Sequence, residues 1–266
     1  MRFLISLIFV LITTSSFAVI FDGKFIQGSF ILGKTEPSSE VFIDKKKVKV
    51  TSDGFFVFGL SRDRKYDVVI TLIKGGNKKK IVKKIQKRQY DIQRIDGLEE
   101  KKVTPPEEVY ERIKRENKWI GEVRAINSDL TFFKNKFAIP VENAIITGVY
   151  GSQRILNGKP KWPHYGLDFA ADEGTKIKAM LDGTVTLAEP DLFYTGSTLI
   201  FDHGHGISTL YMHMEKIFVK KGQKVKQGDI IGTVGSTGRA TGAHLDVRLN
   251  WFDVRLDPAT VLDVKK

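Results

Sequence analysis

Between residues 25 and 95 the chain alternates short apolar runs with clusters of turn-forming residues. The runs are rich in β-branched and aromatic side chains, and the clusters contain Pro, Ser, Asp, Asn and Gly. Several short strands at this spacing are typical of a β sandwich of immunoglobulin-like type. We therefore expect residues 19–100 to form a β-sandwich module that folds separately from the rest of the chain. The apolar runs occupy residues 25–32, 41–43, 55–58 and 68–73, and the turn clusters occupy residues 36–39, 52–54 and 75–77.

A helix is predicted to follow this module. Thr104 can cap its N-terminus, Pro105 is tolerated in the first turn, and Glu107 completes a capping box. Apolar residues then recur at roughly helical spacing as far as Val123. The pattern predicts a linker helix that ends at Arg124 or Ala125, within a helical linker of residues 101–136. Such a helix either acts as a spacer or positions or covers the next domain.

From residue 137 onward the pattern returns to short strands, now with more glycine, and no internal repeat interrupts it. The fold class expected for the whole chain is therefore mostly β, with an N-terminal module, a linker helix and a C-terminal β domain of residues 137–266.

The first 18 residues differ from the rest of the chain. Arg2 precedes an apolar stretch at 3–12, and small residues lead to Ala18. This layout is typical of a secretory signal peptide, and the stretch is short for a permanent membrane helix. The alternative is an uncleaved anchor. We expect a mature chain that begins near Val19 and is exported, with no permanent membrane span.

Charge and cysteine content narrow the classes of partner and chemistry. The formal net charge is +12 and the chain contains no cysteine. A basic exported protein suits an anionic partner, whereas nucleic acid is not expected because none of the common binding signatures is present. Without cysteine, the chain has no thiolate metal ligand and no thiol nucleophile. The basic stretch at 78–88 either grips an anionic polymer or forms a solvated face that protects an edge strand.

Two short His/Asp motifs carry candidate metal chemistry. His164 and Asp168 share a face in a straight strand but lie about 13 Å apart, so only a bend at Gly166 brings them together. His244 and Asp246, two residues apart in a strand, point to the same side. The Gly-rich segment 235–242 before them lacks the Gly-Lys-Ser/Thr element of a phosphate-binding loop.

Three other histidines allow different interpretations. His203 and His205, two residues apart, could form a second metal pair, although flanking glycines favour a turn. His213 ends an apolar run, where a histidine is more often structural than catalytic.

Ordered motifs over residues 138–258 resemble the M23 (lysostaphin/LytM-type) zinc metallopeptidase family, whose members hydrolyse peptide bonds in bacterial peptidoglycan. The resemblance implies an antiparallel β domain with a groove, of the duplicated hybrid motif type. The matching segments are 147–151 with Arg154, His164 to Asp168, 174–175, 182–183, 202–206, Tyr211 to His213, 219–228, 231–242 and His244.

The resemblance also assigns roles to individual residues. His164 and Asp168 fall on two zinc ligands, and Asp246 falls on the third, where most members have histidine. His213 and His244 fall on the two catalytic histidines that are not ligands. We expect His244 to act as the base and His213 to stabilise the oxyanion. Arg154 and Tyr211 are either substrate contacts or structural residues.

These roles imply one zinc ion per chain and an exported endopeptidase that cuts stem or cross-link peptides in the periplasm or cell envelope. The alternative is a catalytically degenerate relative that binds the wall or activates a partner hydrolase. A second carboxylate makes the ligand set with Zn²⁺ formally neutral, which predicts a less acidic bound water. The sequence does not indicate an oligomeric state.

Overall fold

The structure is a computed structural model that describes residues 18–264. The predicted signal peptide, apart from Ala18, lies outside these residues. No helix within 18–264 combines the length and the apolar character that a membrane crossing needs.

The N-terminal region contains two antiparallel sheets. β1, β2 and β5 form one sheet in the order β1-β2-β5, and the other has the order β4-β3-β6-β7. Buried side chains of both sheets, including Ile31 and Phe58 from the first and Val41 and Leu72 from the second, belong to one hydrophobic cluster. Two sheets sharing a core agree with the predicted sandwich, and the immunoglobulin-like assignment stays a prediction. The strands are β1 (Val19–Asp22), β2 (Phe30–Thr35), β3 (Glu40–Ile43), β4 (Lys46–Val48), β5 (Phe55–Gly59), β6 (Val68–Lys74), β7 (Asn77–Lys83) and β8 (Ile92–Ile95).

The basic stretch predicted at 78–88 begins in β7, which is an edge strand of its sheet. Lys78, Lys79 and Lys80 are exposed there. Charged side chains on an edge hinder pairing with another chain. This placement agrees with a solvated face that protects an edge.

The linker contains two helices, and the predicted start of the main helix is wrong. Thr104 is the C-cap of a short helix α1 (Glu100–Val103). Pro106 is extended, and a 3-10 turn (Glu107–Val109) leads into α2 (Tyr110–Arg124) with no side-chain cap. A proline disfavours helical backbone in the residue before it, so two successive prolines delay the start of the helix. The predicted end at Arg124 is confirmed.

The C-terminal region is built on a large antiparallel sheet with ten strands among the described residues. Its main path runs β17-β14-β15-β16-β19-β12-β9, so that β19 lies between β16 and β12. β18 joins this sheet through β16, β13 joins it through β18, and β20 joins it through β19. The strands of this region, of which β10 and β11 lie outside the large sheet, are β9 (Ile145–Gly148), β10 (Gln153–Leu156), β11 (Lys159–Pro160), β12 (Leu167–Ala170), β13 (Lys176–Lys178), β14 (Gly183–Leu192), β15 (Gly196–Gly204), β16 (Ile207–Ile217), β17 (Lys224–Val225), β18 (Ile230–Val234), β19 (His244–Trp251) and β20 (Val254–Leu256).

The two regions share strands and core. β8 pairs in parallel with β10, which in turn pairs with β11. Phe30 packs edge-on against Phe137 with 6.0 Å between ring centroids. A Cβ on Gly59 would lie 2.6 Å from a methyl carbon of Leu256, so the two regions approach closely at this glycine. Residues on both sides of the linker thus belong to the same hydrophobic cluster. The predicted domain boundaries stay predictions.

Candidate metal centre and active-site groove

Asp168 and Asp246 face each other across two antiparallel strands. The register of β12 and β19 places them directly opposite one another. His164 precedes β12, and its Nε2 atom lies 3.1 Å from Oδ1 of Asp168 and 3.4 Å from Oδ2 of Asp246. One ligand atom from each of the three side chains lies within 4.8 Å of the others, and all three residues are buried. The structure thus brings the three predicted ligands together.

Two glycines make room for these carboxylates. The chain bends at Gly166, as predicted, and this bend brings His164 back toward Asp168. A Cβ on Gly166 would lie 1.9 Å from Oδ1 of Asp246, and a Cβ on Gly148 would lie 2.0 Å from Oδ2 of Asp168. Any larger residue at either position would displace a carboxylate of the cluster.

The contact of Nδ1 determines which tautomer of the His164 ring faces the cluster. Nδ1 lies 3.2 Å from the carbonyl oxygen of Val149. Because a carbonyl only accepts, Nδ1 carries the proton, and Nε2 of the neutral ring offers a lone pair toward the carboxylates. Burial disfavours the charged form of His164, but Asp246 and Asp168 outweigh this effect and raise its pKa. The place beside Nε2 therefore suits a positive species, either a second proton or a metal ion.

Each carboxylate of the cluster also meets an arginine. Nη2 of Arg248 lies 3.0 Å from Oδ2 of Asp246, and Nη2 of Arg154 lies 3.3 Å from Oδ2 of Asp168. Burial alone would raise the pKa of Asp246, but Arg248 and His164 more than offset it and hold this pKa well below its usual value. Sequence reasoning missed Arg248, although its position two residues after Asp246 on the same strand places both on one face.

His213 and His244 form a pair beside the cluster, with 4.8 Å between their ring centroids. The Gly-rich segment 235–242 orients both rings. Nδ1 of His213 donates to the carbonyl of Thr237, and Nδ1 of His244 donates to the carbonyl of Gly242, each at 2.8 Å. In the neutral rings both Nε2 atoms are therefore acceptors. Burial lowers the pKa of His213 to about 4, which favours this neutral form. Both rings have the same arrangement, so the division of base and oxyanion roles stays a prediction.

Tyr211 does not reach the groove, and of its two predicted roles, substrate contact and structural residue, its burial agrees with the structural one. Its side chain is fully buried, and its hydroxyl accepts a hydrogen bond from the backbone N–H of Met180 at 2.8 Å. The apolar run that ends at His213 is a central strand of the sheet, so Tyr211 packs in the core.

His203 and His205 do not form a metal pair. Both ring nitrogens of His203 are engaged, at 2.7 Å from the carbonyl of Asp182 and 2.7 Å from Oγ1 of Thr209. His205 lies in the turn between β15 and β16 with a φ of 51°. Among the described residues, the one cluster of potential metal ligands is that of His164, Asp168 and Asp246.

A groove of about 320 Å³ opens above the cluster and the histidine pair. Asp168, His213 and His244 line it, together with Arg154 and Arg239. The N-terminal region contributes a wall, because Gln93, Ile95 and Leu98 also line the groove. Nε of Arg154 lies 3.3 Å from Oε1 of Gln93 in this wall.

The part of the chain that contains this site matches a known protein family. Residues 162–258 match Peptidase family M23. Over 87 residues the chain is 45% identical to peptidoglycan DD-endopeptidase ShyA of Vibrio cholerae, a match that covers 33% of this chain and 20% of ShyA. The chain thus spans about a fifth of the length of this curated relative.

Two solved structures extend the comparison. An M23 peptidase from Pseudomonas aeruginosa matches 90% of this chain and 95% of its own, with a TM-score of 0.70 and 27% identity. The catalytic domain of lysostaphin from Staphylococcus simulans is 32% identical and matches 44% of this chain and 90% of its own, with a TM-score of 0.40. The first of these likenesses includes the N-terminal region.

Proposed function

Because this chain belongs to peptidase family M23, we propose that it is an exported zinc metalloendopeptidase that hydrolyses peptide bonds in the stem or cross-link peptides of peptidoglycan. The name of ShyA, a peptidoglycan DD-endopeptidase, supports this substrate class. The export layout of residues 1–18 and the net charge of +12 support a location in the periplasm or cell envelope.

The observation that carries the proposal is the convergence of His164, Asp168 and Asp246 beside the pair of histidines. Oδ1 of Asp168 is buried and has no hydrogen-bond partner, which is costly unless a cation occupies the centre. One imidazole nitrogen and two carboxylate oxygens are ligands that Zn²⁺ accepts, and three protein ligands are the usual number in a catalytic zinc site. The hydrogen bond from His164 to Val149 is the outer contact that zinc-binding histidines normally make. These residues therefore fit one zinc ion.

A bound zinc ion supplies Lewis acidity, which lowers the pKa of water toward neutrality and polarises the scissile carbonyl. The side chains of this protein supply the rest. The Nε2 lone pairs of His213 and His244 can accept the proton of the attacking water and return it to the leaving amine. The carbonyls of Thr237 and Gly242 fix both rings, so that these nitrogens need no reorientation during the reaction.

The arginines change the charge expected at this centre. Two carboxylates neutralise Zn²⁺ formally, but Arg248 contributes one positive charge at 3.0 Å from Asp246. Asp246 with Arg248 therefore has the same net charge as the neutral histidine usual at this position. This pairing supports an active site despite the departure from the family pattern.

A peptidoglycan digest tests the function. Purified peptidoglycan is incubated with the zinc-loaded protein and the released muropeptides are identified by mass spectrometry. We expect the wild type and a Val82→Ala control, altered on the exposed edge strand, to release the same peptides, and His213→Ala to release almost none. A zinc-loaded wild type that releases no product would leave the wall-binding or activator alternative.

A further inference from the structure

The helix α2 packs on the same face of the large sheet that carries Asp246. Leu210 and Met212 of β16 lie opposite Arg248 and Asp246 of β19, so these four side chains point to one face. Leu210 and Met212 also share a small hydrophobic cluster with Val123, near the C-terminal end of α2. The end of this helix therefore lies over the part of β19 that follows the metal-binding cluster.

Three arginines come together at this end of the helix. Arg124, the last residue of α2, is 7% exposed, and its Nη2 donates to the carbonyl of Phe252 at 2.8 Å, in the turn between β19 and β20. Arg255 of β20 lies opposite Asn250 of β19, and its Nη1 donates to Oδ1 of that residue at 3.2 Å. Asn250 follows Arg248 by two residues, so both point to the face that α2 covers. Arg124, Arg248 and Arg255 are called the arginine cluster below.

The arginine cluster contains more positive charge than its partners balance. Arg248 pairs with Asp246. Within residues 18–264, neither Arg124 nor Arg255 forms an ion pair, and Nε of Arg124 is buried without a hydrogen-bond partner. The exposed Asp253 attracts Arg124 but is not ion-paired with it. A buried guanidinium without an anion is costly, since neither solvent nor a carboxylate compensates its charge.

The three guanidinium groups also repel one another. Burial is the main cause that lowers the pKa of Arg124 to about 10, and the charge of Arg248 lowers it further. Burial likewise holds the pKa of Arg255 well below its usual value, and the charges of Arg124 and Arg248 add to this effect. Each charge is thus close enough to destabilise the others. An anion bound among them would relieve this repulsion.

We propose that Arg124, Arg248 and Arg255 form a binding site for a tetrahedral oxyanion of the phosphate class. Each planar guanidinium presents N–H groups that match two oxygens of such an anion, and three of them from α2, β19 and β20 suit a tetrahedral group better than a planar carboxylate. Arg248 and Arg255 are half-buried, so an anion reaches them from solvent. None of the three is among the described residues that line the groove. This inference does not depend on the proposed peptidase activity.

Titration calorimetry with sulfate tests the site, because sulfate is a tetrahedral dianion that keeps its charge near neutral pH. The full chain is titrated at constant ionic strength, both zinc-loaded and metal-free. We expect one sulfate per chain in both forms, and an affinity weaker by about tenfold or more in Arg255→Gln. Arg255→Lys, which keeps the charge but loses the paired N–H groups, should be intermediate. Arg115→Gln, the same change at an exposed position of α2, should bind sulfate as the wild type does.

A second variant makes the test independent of any one substitution. Arg124→Gln should also weaken sulfate binding by about tenfold or more, and circular dichroism shows whether each variant is folded. If one of the two does not fold, the other decides. Wild type that binds no sulfate, or binding that is equal in the folded variants and the wild type, would overturn the proposal. Sulfate binding that occurs only in the zinc-loaded form would place the anion on the metal and overturn it as well.

Two sources share this chemistry, free inorganic phosphate and a phosphate ester of a larger molecule. Inorganic phosphate and glycerol 3-phosphate are therefore titrated into the metal-free wild type and into Arg255→Gln. Binding of both that weakens in the variant supports a site for phosphate esters, and binding of inorganic phosphate alone supports a site for the free ion. Binding of neither would contradict the assignment to the phosphate class.

Discussion

Nη2 of Arg248 lies 3.0 Å from Oδ2 of Asp246, and both residues belong to β19. Asp246 is buried, so its negative charge is balanced inside the protein instead of by solvent. The resemblance to family M23 implies a neutral histidine at this position, so the pair of aspartate and arginine would keep the net charge of the proposed metal centre. This relationship determines how the site should respond to substitution.

Removing the charge of Arg248 should shift the pH dependence of the proposed peptidase activity. In Arg248→Gln the charge of Asp246 is no longer balanced, so a zinc ion held by this site would acidify water less. We expect the acidic limb of the pH–kcat/KM profile to move upward by on the order of one unit. Arg248→Lys, which keeps the charge, should move it less. An unchanged profile in a zinc-loaded Arg248→Gln protein would show that the arginine does not act through charge.

Asp246 should be required for metal binding. Wild-type protein loaded with zinc and dialysed is expected to retain one zinc ion per chain, whereas Asp246→Ala should lose it because two ligands remain. Elemental analysis of both proteins measures this, with circular dichroism to establish that the variant is folded. Wild-type protein that cannot retain stoichiometric zinc would falsify the metal assignment.

His213 should be required for turnover but not for zinc. Its Nε2 atom is one of two beside the cluster, and loss of a residue that transfers protons or stabilises the oxyanion lowers rates by about 10²–10⁴-fold. We expect His213→Ala to lower kcat by this order while its zinc content stays at the wild-type value. Loss of zinc in this variant would instead make His213 part of the metal site.

The buried His203 predicts a loss of stability in acid. Burial lowers its pKa from 6.5 to about 4, so the folded protein binds this proton less readily than the unfolded chain does. The stabilisation is complete above pH 6.5 and is lost as the pH falls toward 4, with a total on the order of 3 kcal/mol. Urea unfolding of the metal-free protein between pH 7 and 4 measures the slope. We expect His203→Asn, which keeps a donor for the carbonyl of Asp182, to show a smaller slope, and an equal slope would exclude His203 as its source.

A fragment of residues 130–266 tests the predicted separation of domains. It lacks β8, which pairs with β10, and Phe30, which covers Phe137. Arg88, whose Nη1 lies 2.6 Å from Oδ2 of the buried Asp257, is also missing. We expect the fragment to unfold at a lower temperature than the full chain and to recover part of the difference when zinc is added. A melting temperature equal to that of the full chain would show that the regions fold independently.

The local sequence pattern predicted the secondary-structure elements well where they depend on residues close together in the chain. Alternating strands and turns, the end of α2 at Arg124 and the bend at Gly166 all depend on neighbouring residues. His164, Asp168 and Asp246 could be grouped before the fold was known because the resemblance supplied their common role. The predicted start of α2 was wrong because two prolines outweighed a plausible capping box.

The remaining features depend on contacts between residues far apart in the sequence. Tyrosine is a residue type that often contacts substrates. Only the position of β16 within the sheet shows that Tyr211 is buried. The pairing of β8 with β10 and the packing of Gly238 against Gly196 likewise have no local signal. Arg248 is different, because strand periodicity alone places it on the face of Asp246.

The parallel pairing of β8 with β10 has a mechanical consequence. Gln93 and Arg154 are partners in this ladder, and both line the groove. Tension between the N-terminal and C-terminal regions acts on the hydrogen bonds of this ladder, and breaking them widens the groove on the side of Gln93. The groove is in this sense a joint between the two halves of the molecule, so strain on either half reaches Arg154 and, through it, Asp168.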